Sequence, residues 1–364
     1  MDILFISVII RWMIGWGLVY RLPQLPNLQV IGEPKVSVII PARNEEKTLP
    51  KLLAALAKQS FHPYQIIVID DQSTDNTAAI AHCAGVQVIQ TQPLPFGWTG
   101  KNWAIQTGYE IASGEILIFL DADTEPQPEF LARLVANVQH LGGLVSVQPY
   151  HRTEQPYELL AVLFNLVGLM AVKLGPNGGV AFGPAMATTR QDYERVGGHH
   201  AVSGYVVEDW FIAHLYEKQG LPASAYLGDD QLSYRMYPGG ISDLIIGFNK
   251  NFATAAGQVS WVKMLAVVLW LSGLFWAAWC LPATLFNWPV AGNPSLLQSV
   301  VIYIAYMIQL TLIVRKVGSF GWISTIFPIP VIFFIGVFIW AIFNLERGEI
   351  QWKERKISTR WRGS

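Results

Sequence analysis

Between Val36 and Pro149, short apolar runs alternate with longer stretches in which apolar residues recur at every third or fourth position. The β-branched run Val36 to Ile40 predicts a buried strand that stops at Pro41. Leu49, Leu52, Leu53 and Leu56 then share one face of a predicted helix. "QIIVI" predicts a second strand closing on Asp70-Asp71, with Ser73-Thr74 at the start of the next helix. "VQVIQ" predicts a short strand, and "TGKNWAIQTGYEIAS" a helix stopped by Gly114. "EILIFL" is the next strand, with Asp121 and Asp123 at its end on either side of Ala122. "PEFLARLVANVQHL" predicts a further helix and "LVSVQP" a further strand. Strand and helix alternate four times, which means an α/β domain on a mostly parallel sheet. Ligands of such sheets bind beyond the carboxyl ends of the strands. Asp70-Asp71 and Asp121-Ala122-Asp123 are therefore expected to line one crevice.

The rest of the chain has a different pattern. Residues 264–286 and 296–314 carry no charge, and each is long enough to cross a bilayer, which takes about 20 apolar residues. A third apolar run, 322–345, is interrupted by Pro328 and Pro330, which suggests a kinked or re-entrant segment as well as a crossing. The N-terminal run, residues 3–20, contains Arg11 and no small-residue cleavage site, so it reads as an anchor, with a buried core helix as the alternative. The apolar stretch 157–175 lies inside the α/β region and reads as a helix on the membrane surface. Lysine and arginine mark the cytoplasmic side. Arg315-Lys316 and the basic tail 346–364 place themselves there, and the uncharged loop 287–295 outside. The expected organisation is an anchor over 1–22, an α/β domain over 31–257, membrane helices over 263–345 and a basic cytoplasmic tail. The α/β domain of this multi-pass protein of the cell membrane would face the cytoplasm.

Composition agrees: 52% of the 364 residues are hydrophobic and 14% charged, against about 25% charged in a soluble domain. A formal net charge of −1 gives no basic field and excludes nucleic-acid binding as a reading. Cys83 and Cys280 offer neither a disulfide framework nor a metal spacing. His199-His200 has no metal spacing either and reads as a loop.

The chemistry lies in an ordered set of motifs: "VSVIIPARNEE", "VIDDQSTDNTA", "GKNWA", "FLDADTEP" and "VEDW". Each is weak alone. Their order, over about Val36 to Gly257, resembles that of the family 2 glycosyltransferases of the GT-A fold. "PFGWTGKNWA" and "RMYPGG" look most like the subgroup acting on carotenoid acids, and hopanoid-associated members are similar.

The resemblance implies roles. Pro41, Arg43, Asn44, Glu45, Asp70 and Asp71 would hold the nucleoside of a UDP-sugar. Asp123 would bind Mg²⁺ or Mn²⁺ directly, with Asp121 on the ribose or on the metal's outer shell. Two carboxylates suit a hard ion that takes its other ligands from phosphate and water. The plain alternative is a helix cap or turn cluster. Lys101 and Arg235 would meet the diphosphate. Asp209 would be the acceptor-side base, oriented by Glu208, although two acids in a first helical turn also suit the helix dipole. An acceptor that is itself a carboxylic acid is already ionised near neutral pH, and would need Asp209 only as a positioner. Gly183, Pro184 and Trp210 fall on the acceptor side, and Trp98 and Trp103 are further candidates for a lipid or sugar pocket. Where processive polysaccharide synthases carry Gln-x-x-Arg-Trp, this chain has Gln231, Tyr234 and Arg235-Met236, so single transfers are expected. The implied reaction is inverting transfer of glucose from UDP-glucose to a lipid, an apocarotenoid acid such as 4,4'-diaponeurosporenoate first among them. A hopanoid or polyprenyl phosphate is the enzymatic alternative. A non-catalytic nucleotide-binding membrane scaffold is the rival of another class, and it has no need of Asp121, Asp123 and Asp209 together.

Overall fold

The computed structural model describes residues 3–255, 260–345, 349–352 and 355–358. The chain forms two compact units, one of Leu22–His151 and Lys173–Arg235, the other of Met1–Arg21, Arg152–Val172 and Met236–Ser364. Helices along it are α1 (Ile3–Leu18), α2 (Leu49–Leu56), α3 (Thr77–Cys83), α4 (Gly100–Ile111), α5 (Phe130–Leu141), α6 (Val162–Ala171), α7 (Arg190–Arg195), α8 (Glu208–Lys218), α9 (Ile241–Ala255), α10 (Trp261–Leu285), α11 (Leu296–Val314) and α12 (Pro328–Leu345).

The first unit is built on β1 (Val36–Ala42), β2 (Gln65–Asp70), β3 (Gln87–Gln90), β4 (Ile116–Leu120), β5 (Thr124–Pro126), β6 (Leu144–Gln148), β7 (Tyr150–His151), β8 (Ala185–Thr189), β9 (Ala223–Leu227) and β10 (Leu232–Tyr234). Its main sheet has the order β3-β2-β1-β4-β8-β6-β9. Helices cover both faces, so a central strand must be apolar on both sides, and β1 is. Val36, Val38 and Ile40 pack with Leu52 of α2 and Leu134 of α5. Ile39 turns the other way, into a cluster with Ile105 of α4 and Ile212 of α8.

Gly108 of α4 sits directly over this second cluster. A Cβ there would lie 2.5 Å from Ile39 Cγ2 and 3.0 Å from Ile69 Cγ1. Gly108→Ala gains about 1 kcal/mol of helix propensity but overpacks the layer at a cost of about 1–3 kcal/mol. A net fall in melting temperature of a few degrees is expected, measured by thermal unfolding in detergent.

The strand order reverses between β1 and β4, with β2 and β3 on one side of β1 and β4 on the other. That reversal opens a crevice at the carboxyl ends of the strands. β1 pairs in parallel with both β2 and β4. β8 is antiparallel to β4 and β6, so the residues that enter it, Gly183-Pro184, reach the same edge of the sheet at which β4 ends. The Asp121 N–H donates to the Pro184 carbonyl there at 2.9 Å. A small second sheet, β5-β10-β7, pairs Tyr234 with Thr124. The residues just beyond that pair, Arg235 and Asp123, come to the same end.

One helix start differs from expectation. α3 begins at Thr77, not at Ser73-Thr74. Residues 73–77 are instead engaged by the loop after β1: Asn44 N–H donates to Ser73 Oγ at 3.0 Å, and Glu45 N–H to Thr77 Oγ1 at 2.8 Å.

In the other unit, α10 and α11 have 25 and 19 residues and mean hydropathies of 2.0 and 1.9, long and apolar enough to cross a membrane. α1, Pro156–Ala171 and Pro328–Ala341 are shorter apolar helices. α1 is tied to the long pair: Trp12 Nε1 donates to the Ala305 carbonyl at 3.0 Å, and Gln309 Nε2 to the Trp12 carbonyl at 2.8 Å. Phe164 of α6 stacks on Phe248 at 4.2 Å and meets Phe334 at 4.8 Å. The apolar run 322–345 is divided at Phe327, where a 3-10 turn over Gly321–Ile326 gives way to α12, which begins at Pro328. Pro328 and Pro330 lie in the first turn of α12, where proline is tolerated, and the helix runs on to Leu345. In the tail, Glu349–Trp352 and Arg355–Ser358 pair as antiparallel strands. The rest of the tail, like residues 256 and 257 at the expected end of the α/β domain, lies outside the described residues.

Candidate active site

Three loops and two helix starts meet at the crevice. Asp70 closes β2 and Asp71 follows it, both buried. An Asp70 oxygen accepts from Ser73 N–H at 3.1 Å. Arg43 Nη1 donates to the Asp71 carbonyl at 2.8 Å and stands 3.9 Å from its carboxylate. Asn44 adopts φ 55°, which turns the chain after β1, and its Oδ1 accepts from Thr74 N–H at 2.9 Å. Glu45 bonds Thr48 Oγ1 at 2.6 Å. Pro41 pairs with Ile69 in the β1–β2 register, so this whole group lies at one end of the two strands.

The second group gathers around Lys101, in the first turn of α4. Its ammonium lies 2.8 Å from Asp121 Oδ1 and 3.0 Å from Glu208 Oε1. Burial alone would lower the Lys101 pKa, but the charges of Asp121 and Glu208 more than offset it, and the net shift is upward. Burial likewise pushes the Glu208 carboxyl up, and Lys101 reverses that, leaving it below its ordinary value. Asp209 makes different bonds. Its two oxygens accept from Gly183 N–H and Trp210 N–H, each at 2.9 Å. Its orientation is therefore set by backbone, while Glu208 holds Lys101. Burial and the neighbouring Glu208 charge raise the Asp209 carboxyl to about 6, against the pull of Lys101 and the two N–H donors.

Gly183 shows how tightly these groups converge. A Cβ there would lie 3.1 Å from Lys101 Nζ and 3.4 Å from both Asp209 Oδ2 and Glu208 Oε1. A side chain here would crowd the ammonium, and glycine leaves the backbone donor room beside the carboxylate. Pro184, next in chain, accepts from Asp121 N–H, so the end of β4 and the loop before β8 are joined.

Residues 37–196 match the family model described as glycosyl transferase family 2. The 4,4'-diaponeurosporenoate glycosyltransferase of Staphylococcus aureus strain USA300 is 33% identical over 335 residues, 89% of this chain and 88% of that protein. The chain belongs to glycosyl transferase family 2. The same enzyme of strain MRSA252 is 32% identical over the same coverage. A mannosyltransferase from Pyrobaculum calidifontis, solved with GDP-Man and Mn²⁺, superposes with a TM-score of 0.53 at 16% identity, covering 93% of this chain and 96% of that one. At that identity the likeness concerns the fold, and the transferase has the GT-A architecture with its mostly parallel sheet.

Among the described residues of the transferase, no group of three or more His, Cys, Asp or Glu side chains has a metal-binding arrangement. The donor set at β4 is the hard-oxygen pair Asp121 and Asp123. A cation, the Lys101 ammonium, already stands against Asp121. Such a set fits a divalent ion that takes few protein ligands and completes its shell with phosphate and water.

One residue departs from the sequence reading. His199 is not a loop residue but is fully buried in a short helical turn, its Nδ1 2.8 Å from Tyr193 Oη and its ring 5.2 Å from Phe119. Burial lowers it to about 4, so it is neutral. Trp98 packs edge-on against Trp103 at 5.2 Å, and Trp103 Nε1 donates to the Gln92 carbonyl. Trp210 stacks on His214 at 5.7 Å. Asn102, inside "GKNWA", was given no role by its sequence context, since a lone asparagine in a first helical turn carries no signal.

Proposed function

We propose that this transferase is a membrane-bound inverting enzyme that moves glucose from UDP-glucose onto a lipid acceptor, an apocarotenoid acid such as 4,4'-diaponeurosporenoate. The observation that carries the reading is the junction at Gly183. One backbone N–H there meets Asp209, while the Lys101–Asp121 pair lies against the same loop. The relatives, similar over 89% of the chain, support the acceptor class.

In this reading Pro41, Arg43, Asn44, Glu45, Asp70 and Asp71 enclose the uridine. Asp123, with Asp121 beside it, holds Mg²⁺ or Mn²⁺, which when bound offsets the charge growing on the departing diphosphate. Lys101 and Arg235 bring their own positive charge to the diphosphate side. Gly183, Pro184 and Trp210 form the acceptor side. The acceptor oxygen bonds to the sugar C1 as the bond from C1 to the diphosphate oxygen breaks, and UDP leaves. Asp209, at a pKa of about 6, is ionised at neutral pH and takes the proton of a hydroxyl acceptor. For a carboxylate acceptor it orients rather than deprotonates. α10 and α11 cross the membrane, and the catalytic unit, the Arg315-Lys316 loop and the tail face the cytoplasm, so that a lipid reaches the site from the bilayer.

Purified enzyme in detergent, given UDP-glucose and 4,4'-diaponeurosporenoate, is expected to yield a glucosylated carotenoid by mass spectrometry. Chelation with EDTA should abolish turnover, and Mn²⁺ or Mg²⁺ should restore it. An acid-labile product on a polyprenyl phosphate, with no carotenoid product, would move the acceptor to that class. No UDP release with any donor would refute the reading.

A further inference from the structure

α8 carries Glu208 and Asp209 in its first turn, yet its start is weakly fixed from within. Its N-cap position is Val207, which has no side-chain oxygen to bond the helix's free N–H groups. The preceding loop must be held by something else, and the structure supplies it from across the site. Asn102, wholly buried in the first turn of α4, points its Nδ2 into that loop. Nδ2 donates to the carbonyls of Val202 at 2.8 Å, Ser203 at 3.1 Å and Tyr205 at 3.1 Å. All three acceptors are carbonyls, so only an amide nitrogen, and not the Oδ1, satisfies them. Thr99 N–H adds a fourth bond, to Ser203 at 2.9 Å, and Thr99 Oγ1 caps α4 by accepting from Asn102 N–H.

We infer that Asn102 is a positioning residue: it straps the 202–205 loop onto the start of α4 and so fixes the distance between Lys101 and the Glu208-Asp209 pair. The geometry leaves little slack. Lys101 immediately precedes Asn102, and Glu208 is three residues beyond the last carbonyl that Asn102 holds. The 3.0 Å bond from Lys101 to Glu208 closes the ring. The loop leads into α8 with no side-chain cap at Val207, and a single buried amide ties down three of its carbonyls. Loosening it would let water reach Asp209 and let the two carboxylates drift from Lys101. This inference rests on the role proposed above for Asp209.

The test pairs a readout of the strap with a readout of its consequence. Hydrogen–deuterium exchange of the full-length protein in detergent is compared for wild type, Asn102→Ala and Asn102→Gln. Asn102→Ala should speed exchange in peptides spanning 203–211 by about tenfold or more, the scale of losing one or two net hydrogen bonds. Peptides of the central strands should not change. Transfer of glucose from UDP-glucose to 4,4'-diaponeurosporenoate should fall roughly 10²-fold in kcat, the scale of a 1 Å misplacement, with little change in KM for UDP-glucose. With a hydroxyl acceptor, whose proton Asp209 takes, the acid limb of the pH–rate profile should move below about 6 as Asp209 becomes solvated. Asn102→Gln keeps the amide on a longer stem and should fold even where the alanine variant does not, with the same changes in smaller degree. Unchanged exchange over 203–211 overturns the strap. Faster exchange with unchanged kcat and pH profile overturns its catalytic consequence. If wild type transfers no glucose, the proposed function fails, and the exchange data still decide whether Asn102 holds the loop.

Discussion

Asp209→Asn should lower kcat for glucose transfer by about 10²–10⁴-fold, the contribution of a positioned general base, and leave UDP binding intact. The asparagine fits the same space, and its oxygen still accepts one of the two N–H donors that orient Asp209. The loss would not be a folding defect, as the sign of the linkage shows. The folded carboxyl titrates at about 6, above its ordinary 3.8. Its ionisation therefore costs stability as pH rises between those values, and a neutral amide removes that cost. At pH 7.5 the variant should be at least as stable as wild type by thermal unfolding. The pH profile separates base from positioner. With a hydroxyl acceptor, the wild-type rate should fall tenfold per unit below about pH 6, and the variant should lack that limb. With a carboxylic acid acceptor, the limb should follow the acceptor's own carboxyl, and the loss in Asp209→Asn should sit at the low end of the range.

Lys101→Met tests the other half of the site. Methionine keeps the length of the stem but leaves Asp121, Glu208 and Asp209 without their shared cation. Removing one partner of a buried ion pair costs about 3–5 kcal/mol. Lys101 and Asp121 keep 32% and 28% of their side-chain surface, so water screens part of this. A loss of roughly 1–3 kcal/mol is the expected outcome. The deficit should shrink as pH falls from 7.5 toward 5, because protonating the stranded carboxylates removes their repulsion. The same change removes a charge that holds the Asp209 pKa down, so the acid limb should move above 6. Thermal unfolding across pH, with the pH–rate profile, measures both.

The strand ends that carry Asp70-Asp71 and Asp121 were legible in the sequence. An apolar run such as Ile116 to Leu120, with Gly114 before it and carboxylates after it, reads as a buried strand, and the carboxylates lie at its carboxyl end. The surroundings of β8 and α8 were harder. β8, "AMATT", is too short and too small in its side chains to announce itself, and its antiparallel direction follows from pairing that no local pattern records. Gly183 could be noted as a glycine near the acceptor; its approach to three charged groups is a tertiary fact. Glu208 and Asp209 read as one acidic pair, yet they divide their work, one bonding an ammonium and the other two backbone N–H groups. The prolines at 328 and 330 marked the place where the apolar run 322–345 is divided, and a helix starts there because proline is tolerated in a first turn. His199 shows the opposite limit: nothing in "GGHHAV" reveals that one histidine is core and bonded to Tyr193.

The reversed direction of β8 also makes the site modular. On the proposed roles, the groups that face the nucleotide are encoded before Pro126, apart from Arg235, and those that face the acceptor enter through the loop before β8 and the start of α8. The backbone seams at this edge include the pairing of β4 with β8 and the bond from Thr99 N–H to the Ser203 carbonyl, which depend on main-chain bonds and not on particular side chains. On those roles, grafting residues 178–211 between relatives is expected to exchange acceptor preference while leaving the sugar-nucleotide side in place. Asn102 would have to travel with the graft, because the strap it makes has one end on each side of these seams.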